Sequence, residues 1–474
     1  MKIRTRVHKI GITGSARAGK TVFLLSLINQ LEYGGLNLGD DKTRLYRRLP
    51  PHDKRDEFDY DLLRKHLAVN EEWPAKTKDS SFWRCSFECS SAIVNKDEIE
   101  FFDFPGERVA DVTMVNQSFG EWSDMMIRSL TNDPGKAVAS ASFIRAIEQD
   151  DPQQEDIVAA WKLALGHLIL DCHALITPST FLIDSDGKEV RERVRKKRRA
   201  EGAVDLYAAD SADELAAVGC AGCLGREFAP LPANVRENAP ELARCFAQHY
   251  EHYQQAVVRP FAAHLLSCDA LIYLVDVTDV LGSGMQKFND TQDIIEKLLD
   301  CIQRRREFTK WMARGALNLV LWLKMVGRRI KLRSVSRVAF VASKADKVHE
   351  EDHDNLEKLI KGLAGNLAER CGLSDVEYFI CKAVNSTTSR HRDEKKVLEG
   401  RPLWEQKVVP LKRRPPTDKE IEVPVPDLPG DWSNNWLAGD FRFTDFHPKI
   451  PANHREPPQH AKINEVLKFV LYGK

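Results

Sequence analysis

An α/β fold, interrupted by a large helical insertion, is predicted by three features of the sequence. A glycine-rich loop stands between a strand-like and a helix-like segment near the N-terminus. Two later apolar runs, around Ile99–Phe102 and Val338–Ala342, each end on a loop bearing an aspartate. Residues 112–262, which lie between the Ile99–Phe102 strand and the next central strand, Asp269–Val277, carry helical periodicity instead. At 474 residues the chain has room for two or three domains of roughly 100 to 200 residues each. Its 70 basic and 70 acidic residues and 43% hydrophobic content describe no global attraction to nucleic acid or anionic membrane. Of the ten cysteines only Cys220 and Cys223 form a CxxC, and no second pair stands at zinc-site spacing, which favours a reduced, cytoplasmic setting. The basic N-terminus offers an apolar run far shorter than the ~7 to 15 residues of an export signal, so no export is expected.

Val7 to Thr13 carry branched apolar residues and read as a strand; residues 19–33, GKTVFLLSLINQLEY, have the length and composition of a buried helix. Between them Gly14, Gly19, Lys20 and Thr21 fill the phosphate-loop pattern G-x-x-x-x-G-K-[ST] without mismatch. In such a P-loop the backbone N–H groups from Gly14 through Ser15, Ala16, Arg17, Ala18 and Gly19 turn inward around a β-phosphate. The helix start at Thr21 and Val22 adds its positive dipole end. Lys20 then reaches the β- and γ-phosphates, and Thr21 gives its hydroxyl to Mg²⁺. The strand before and the helix after this loop favour a phosphate site over a plain glycine turn.

The segment DEIEFFDFPGE supplies a second strand whose end presents Asp103 to hold Mg²⁺ through water. Gly106 completes D-x-x-G; without a side chain its N–H can sense a γ-phosphate, which makes the following loop a switch. Thr77, just before an alternating strand at 82–89, has two readings: a hydroxyl closing over Mg²⁺ as a first switch, or a polar turn residue. Thr43 is a weaker competitor for that role.

Further along, Val338–Ala342 runs into Ser343, Lys344, Ala345 and Asp346, which resembles the [NT]KxD signature of GTPases with serine in the first place. A carboxylate at Asp346 can accept from guanine N1–H and the N2 amine together, whereas adenine offers no N1–H. Lys344 would lay its aliphatic stem along the base. The competing reading makes SKAD the cap of a following helix. A last base-side loop is expected after VEYFICKAV, at Cys381 to Ala383.

Catalysis is less legible. Where many related enzymes carry glutamine after D-x-x-G, this chain has Glu107 followed by Arg108. A carboxylate can accept a water proton, but its charge opposes the γ-phosphate, so slow intrinsic turnover that depends on a partner is expected. Arg17 and Arg108 are charge stabilisers on one reading and solvated loop charges on the other.

The series GSARAGKT, WPAKT, DFPGE and SKAD, in that order, resembles the YcjX-like family of bacterial P-loop proteins, Ras-like GTPases associated with the phage-shock envelope stress response. The resemblance extends over nearly the whole chain, including LITPSTFLI (Leu175 to Ile183) and the C-terminal helix. It implies an α/β P-loop NTPase fold, a Ras-like G domain with a large, mainly helical inserted domain, that takes GTP/GDP and Mg²⁺. It gives Gly19, Lys20 and Thr21 phosphate and magnesium roles, Thr77 and Asp103 to Gly106 the switches, and Lys344 with Asp346 the guanine contacts. The expected organisation is G domain at 1–111, 263–310 and 336–474, helical insertion at 112–262, and a small amphipathic insertion at 311–335. FIRAIEQ and DIVAAWKLALGHLILDC show apolar faces at helical spacing inside the larger insertion.

Three other stretches invite a partner. The basic run Val190 to Gly202 is a solvated helix face or a contact for anionic surfaces. Phe308 to Arg333, with Trp311 and Trp322, is either a packed helix or one lying on a membrane. Its apolar core, roughly Ala316 to Val326, falls short of the ~20 residues of a span. Ser386 to Pro458 is Pro-rich and Trp-bearing, read as extended and irregular, a wrapping arm or a docking surface. The sequence thus predicts a GTP-binding switch with slow Mg²⁺-dependent hydrolysis. It would be cytoplasmic or peripheral at the inner membrane, and would act on a protein partner through the insertion or the C-terminal arm, with no specific nucleic acid. A membrane-proximal GTP-binding scaffold with little turnover, and a P-loop kinase or ATPase, are the alternatives.

Overall fold

The structure, a computed structural model, describes residues 4–15, 17–34, 44–50, 57–70, 73–74, 81–89, 95–149, 153–170, 177–179, 226–315, 333–370, 375–403, 419–432, 436–451 and 456–473. Among them one mixed α/β sheet has seven strands: β1 (Arg4–Gly14), β2 (Arg44–Arg48), β3 (Ser81–Cys89), β4 (Asn95–Asp103), β5 (Ala270–Val275), β6 (Arg337–Ala342) and β7 (Val376–Ile380). Their order is β2-β3-β4-β1-β5-β6-β7. The strands from β4 to β7 in that order pair in parallel, and β3 and β2 complete the edge antiparallel. The sequence of β5, ALIYLV, is apolar without alternation and wholly buried, as a parallel strand covered on both faces requires.

Helix Lys20–Asn29 follows β1 and buries Phe23, Leu24, Leu25, Leu27 and Ile28. The predicted helix ends there, and the chain passes into a wider π turn at Gln30–Gly34. The C-terminal helix Ile463–Tyr472 buries Ile463, Val466, Leu467 and Val470, an i, i+3, i+4, i+7 face. Both helices share one apolar core with Ile10 and Ile12 of β1, Ile272 and Leu274 of β5, and Val341 of β6.

The chain divides into two compact units, one of Met1–Gly106, Leu265–Phe288 and Leu299–Lys474, the other of Glu107–His264 and Asn289–Leu298. The second unit is built on helices that include Phe119–Asn132, Pro134–Ile147, Gln154–Leu170 and Pro240–Tyr253. The apolar faces read in FIRAIEQ and DIVAAWKLALGHLILDC fall on the second and third of these. Their ends are defined chemically: Ser118 and Glu121 form a capping box, and Asp133 caps the helix that Pro134 opens. Trp122, Phe143, Trp161, Phe228, Tyr250 and Tyr253 fill the core. Inside this unit Asp111 accepts from Ser179 N at 2.8 Å, Ser179 Oγ at 2.5 Å and Tyr253 OH at 2.8 Å. Burial pushes its carboxyl up to about 6, against the pull of these donors.

The stretch from Ser386 to Pro458 departs from the irregular arm expected of it. Its described residues hold a three-stranded antiparallel sheet, β8 (Thr388–Arg392), β9 (Lys395–Gly400) and β11 (Ile421–Pro424), and a short pair, β10 (Pro402–Leu403) with β12 (Asp445–Phe446). Strands β8 and β9 are joined by Asp393 and Glu394 with φ of 47° and 64°. Two successive positive φ values are what a tight hairpin needs, but Asp-Glu lacks the glycine that advertises such a turn.

Removing the Asp111 carboxylate would leave three buried donors without their acceptor. Asp111→Ala is expected to cost about 3 kcal/mol and Asp111→Asn distinctly less, read by urea denaturation.

Candidate functional site

All parallel strands of such a sheet end on the same edge, where open α/β folds bind ligands. Ile12 pairs with Asp103 and Gly14 with Leu274, while Val275 pairs with Ala342 and Ala342 with Ile380. The glycine loop, Asp103, Asp276, the SKAD loop and the Cys381 loop therefore follow from neighbouring strand ends.

The glycine loop hangs from β1 and β5. Gly14 has φ 137°, and a Cβ there would run into the Leu274 backbone, with the nitrogen at 2.7 Å and the carbonyl oxygen closer. Ser15 N donates to Leu274 O at 3.1 Å, and Ala18 N to Ser15 O at 3.3 Å. Arg17, exposed, and Gly19 also take positive φ, 60° and 79°. Among the described residues no side chain caps the helix at Gly19. Val22 lies in its first turn, and Ala16 falls outside the described residues.

Lys20, only 6% exposed, donates Nζ to Ser15 O at 2.7 Å. Thr21 Oγ1 donates to Asp103 Oδ2 at 3.2 Å, and Asp103 is fully buried at the end of β4. A hydroxyl and a carboxylate meeting in this way form an oxygen donor set of the kind a small hard cation accepts, with water and phosphate completing its shell. Gly106 closes against the loop: a Cβ there would stand 2.6 Å from Gly14 O and 2.8 Å from Ser15 O, and closer still to Lys20 Nζ. Residue 106 can approach the loop this closely only because it carries no Cβ.

On the other flank Ser343–Asp346 leaves β6. Lys344 adopts a left-handed backbone, φ 53°, and its Cε lies 3.9 Å from where a Gly19 Cβ would be, which brings this lysine to the glycine loop. Asp346 is 7% exposed, and burial pushes its carboxyl up to about 6 against Lys347, Lys382 and Lys344. The reading of SKAD as a cap for the next helix is not met, since Asp346 lies within a short 3-10 turn, Ala345–Lys347, and the helix begins only at His353. Ala345 N donates to Cys381 O at 3.2 Å, and Ser26 Oγ to Ala383 O at 2.6 Å, so the Cys381–Ala383 loop sits against both SKAD and the first helix. One residue at this edge, Asp276 at the end of β5, was not singled out in the sequence, and it lies 3.0 Å from Lys344 Nζ.

Other residues stand apart. Thr77 and Thr43 lie outside the described residues, as do Val190 to Gly202, Cys220, Cys223 and Ala316 to Val326. Glu107 and Arg108 open the second unit in the turn Gly106–Val109; the Glu107 side chain is outside the described ones, and Arg108 acts electrostatically on Asp111. No described helix is long and apolar enough to cross a membrane.

These features define a mixed α/β protein with a phosphate-loop sequence at the C-terminal end of its central strand. The chain belongs to the YcjX-like family, DUF463, whose sequence model matches residues 8–190 and 225–474. It is similar to the protein named Ras-like GTPase YcjX of Escherichia coli strain K12, 24% identical over 504 residues that cover 98% of this chain and 95% of that one. It is also similar to the protein of the same name from Shewanella oneidensis strain MR-1, 20% identical over 511 residues, 98% of this chain and 94% of that one.

The collision at Gly14 separates steric from conformational cost. Gly439→Ala, at φ 88° with no described residue within 4 Å of an added Cβ, is expected to lose about 1 kcal/mol. Gly14→Ala, which adds the clash with Leu274, should lose at least about 3 kcal/mol, both measured by urea denaturation.

Proposed function

We propose that this chain is a P-loop GTPase: it binds GTP and GDP with Mg²⁺, hydrolyses GTP slowly, and signals its nucleotide state to a partner. The observation that carries this is the convergence of Lys20, Thr21, Asp103 and Gly106 at one strand edge, with Thr21 and Asp103 3.2 Å apart. Lys20 would exchange its bond to Ser15 O for phosphate oxygens, and the Gly106 N–H would meet the γ-phosphate. Thr21 and Asp103 would hold Mg²⁺, which when bound neutralises phosphate charge. Asp346 and Lys344 would take the guanine, with Ala383 on the far side of the base. The names of the two relatives support the same activity.

Slow turnover follows from Glu107 in the place after D-x-x-G, where a carboxylate orients water but repels the γ-phosphate. The first unit is the G domain on this reading and the helical second unit, inserted after Gly106, is where nucleotide state is read by a partner. A cytoplasmic protein with peripheral contact at the inner membrane through residues 311–335, in an envelope stress response, completes the proposal.

Multiple-turnover phosphate release from GTP should fall to background in Lys20→Ala, and release that continues unchanged in that variant would remove the reading. Phosphate appearing on an acceptor faster than in solution would favour a kinase. The Asp346 carboxyl, raised from 3.8 to about 6, must be ionised to accept from guanine. GDP affinity, followed by calorimetric titration, should therefore be constant well above pH 6 and fall as pH is lowered through about 6.

A further inference from the structure

Asp276 belongs to no nucleotide signature read in the sequence, yet it is built into the base side of the site from several directions. It is 2% exposed. Its Oδ2 lies 3.0 Å from Lys344 Nζ and 3.5 Å from Lys347 Nζ, while Oδ1 accepts from Thr278 Oγ1 at 2.5 Å and Asp279 N at 3.0 Å. Lys347 reaches onward to Asp445 Oδ1 at the short strand β12. Lys344, Asp276, Lys347 and Asp445 thus form a chain of alternating charge. Within it Asp276 and Lys347 are too deeply buried to stay ionised alone. Burial would raise the Asp276 carboxyl, but Lys347 and Lys344 outweigh it and hold it below the usual carboxylate range.

Two facts give this chain a direction. Lys344 holds a left-handed backbone, an uncommon state for a residue with a side chain, which persists where the surroundings over-determine it. Ser343, which opens the SKAD loop, has a buried hydroxyl with no hydrogen-bond partner among the described residues, none of which it ties to the loop through its side chain. Backbone bonds such as Ser343 N to Val275 O and Lys347 N to Lys344 O shape the loop, and among the described residues the contact made by the Lys344 ammonium is the one to Asp276.

We propose that Asp276 is the positioning residue of the base site: it anchors the Lys344 ammonium so that the aliphatic stem lies along the plane of the guanine. The inference rests on the guanine-nucleotide reading above. Charge is the operative property, because an asparagine at this place could still cap the helix Val277–Ser283 but would set a neutral amide, with no counter-charge, between the Lys344 and Lys347 ammoniums.

The test is calorimetric titration of the full chain, with Mg²⁺, by GDP and by inosine diphosphate, which lacks the amine that would donate to Asp346. Asp276→Asn should weaken both by about tenfold, the size of one hydrogen bond to a charged group, and leave their ratio unchanged, since a stem along the ring plane does not touch the amine. A merely structural defect would also scale both affinities alike, but it would not depend on one lysine. Accordingly, Asp276→Asn should add nothing further in a Lys344→Met background. Lys347→Met, readable even if Asp276→Asn fails to fold, should keep GDP affinity within about twofold, because Asp276 then serves Lys344 alone. Wild-type affinity in Asp276→Asn, losses that simply add to those of Lys344→Met, or a Lys347→Met loss as large as that of Lys344→Met would each overturn the proposal. Failure of the wild-type chain to bind either nucleotide would instead overturn the guanine reading, before any variant is compared.

Discussion

Parallel pairing of β1 with β4 on one side and β5 on the other is the constraint on which the site depends. Because these strands run the same way, residues far apart in sequence leave the sheet at one edge: Gly14, Asp103 and Asp276 become neighbours there. The closeness of that edge is set by glycine. Gly14 can lie on the Leu274 backbone and Gly106 on the glycine loop only because neither carries a Cβ. Any side chain at either position would push apart the elements that the ladder brings together.

The same edge concentrates buried charge, and the chain handles each case differently. Asp103 accepts from Thr21 and Asp276 is matched by two lysines. Asp346 is the exception, since burial outweighs the surrounding lysines and its carboxyl is raised. On the proposed reading this is what a base-recognising acid requires: a desolvated group whose acceptors are satisfied fully only by guanine. The second unit uses a buried acid for a different end, with Asp111 holding Ser179 and Tyr253 together inside its own core.

Much of this was legible in the sequence, for reasons that can be named. The run from Val7 to Tyr33 combines branched apolar residues, a glycine-spaced loop and a helix-length apolar segment, so element type and loop position were fixed by local chemistry. DFPGE and SKAD were visible because each couples an apolar strand to an acid at its end. Asp276 was not, because one aspartate at the end of ALIYLV has no pattern around it; its meaning lies in Lys344 and Lys347, which only the pairing of β5 with β6 brings near. The edge strand β2, RLYRR, is too charged to read as a strand, and the β8–β9 hairpin turns on Asp393 and Glu394 rather than on glycine. In both cases tertiary pairing overrides weak local preference.

The most direct test of a guanine-binding site is a change of base preference. Asp346→Asn replaces an acceptor pair by an amide, which can donate to the second carbonyl of xanthine but cannot accept from both guanine donors. Titration of wild type and Asp346→Asn with GDP, xanthosine diphosphate and ADP should show guanine preferred by the former and xanthine by the latter, with ADP weak in both. Equal binding of ADP and GDP by the wild type, unmoved by the substitution, would contradict the account.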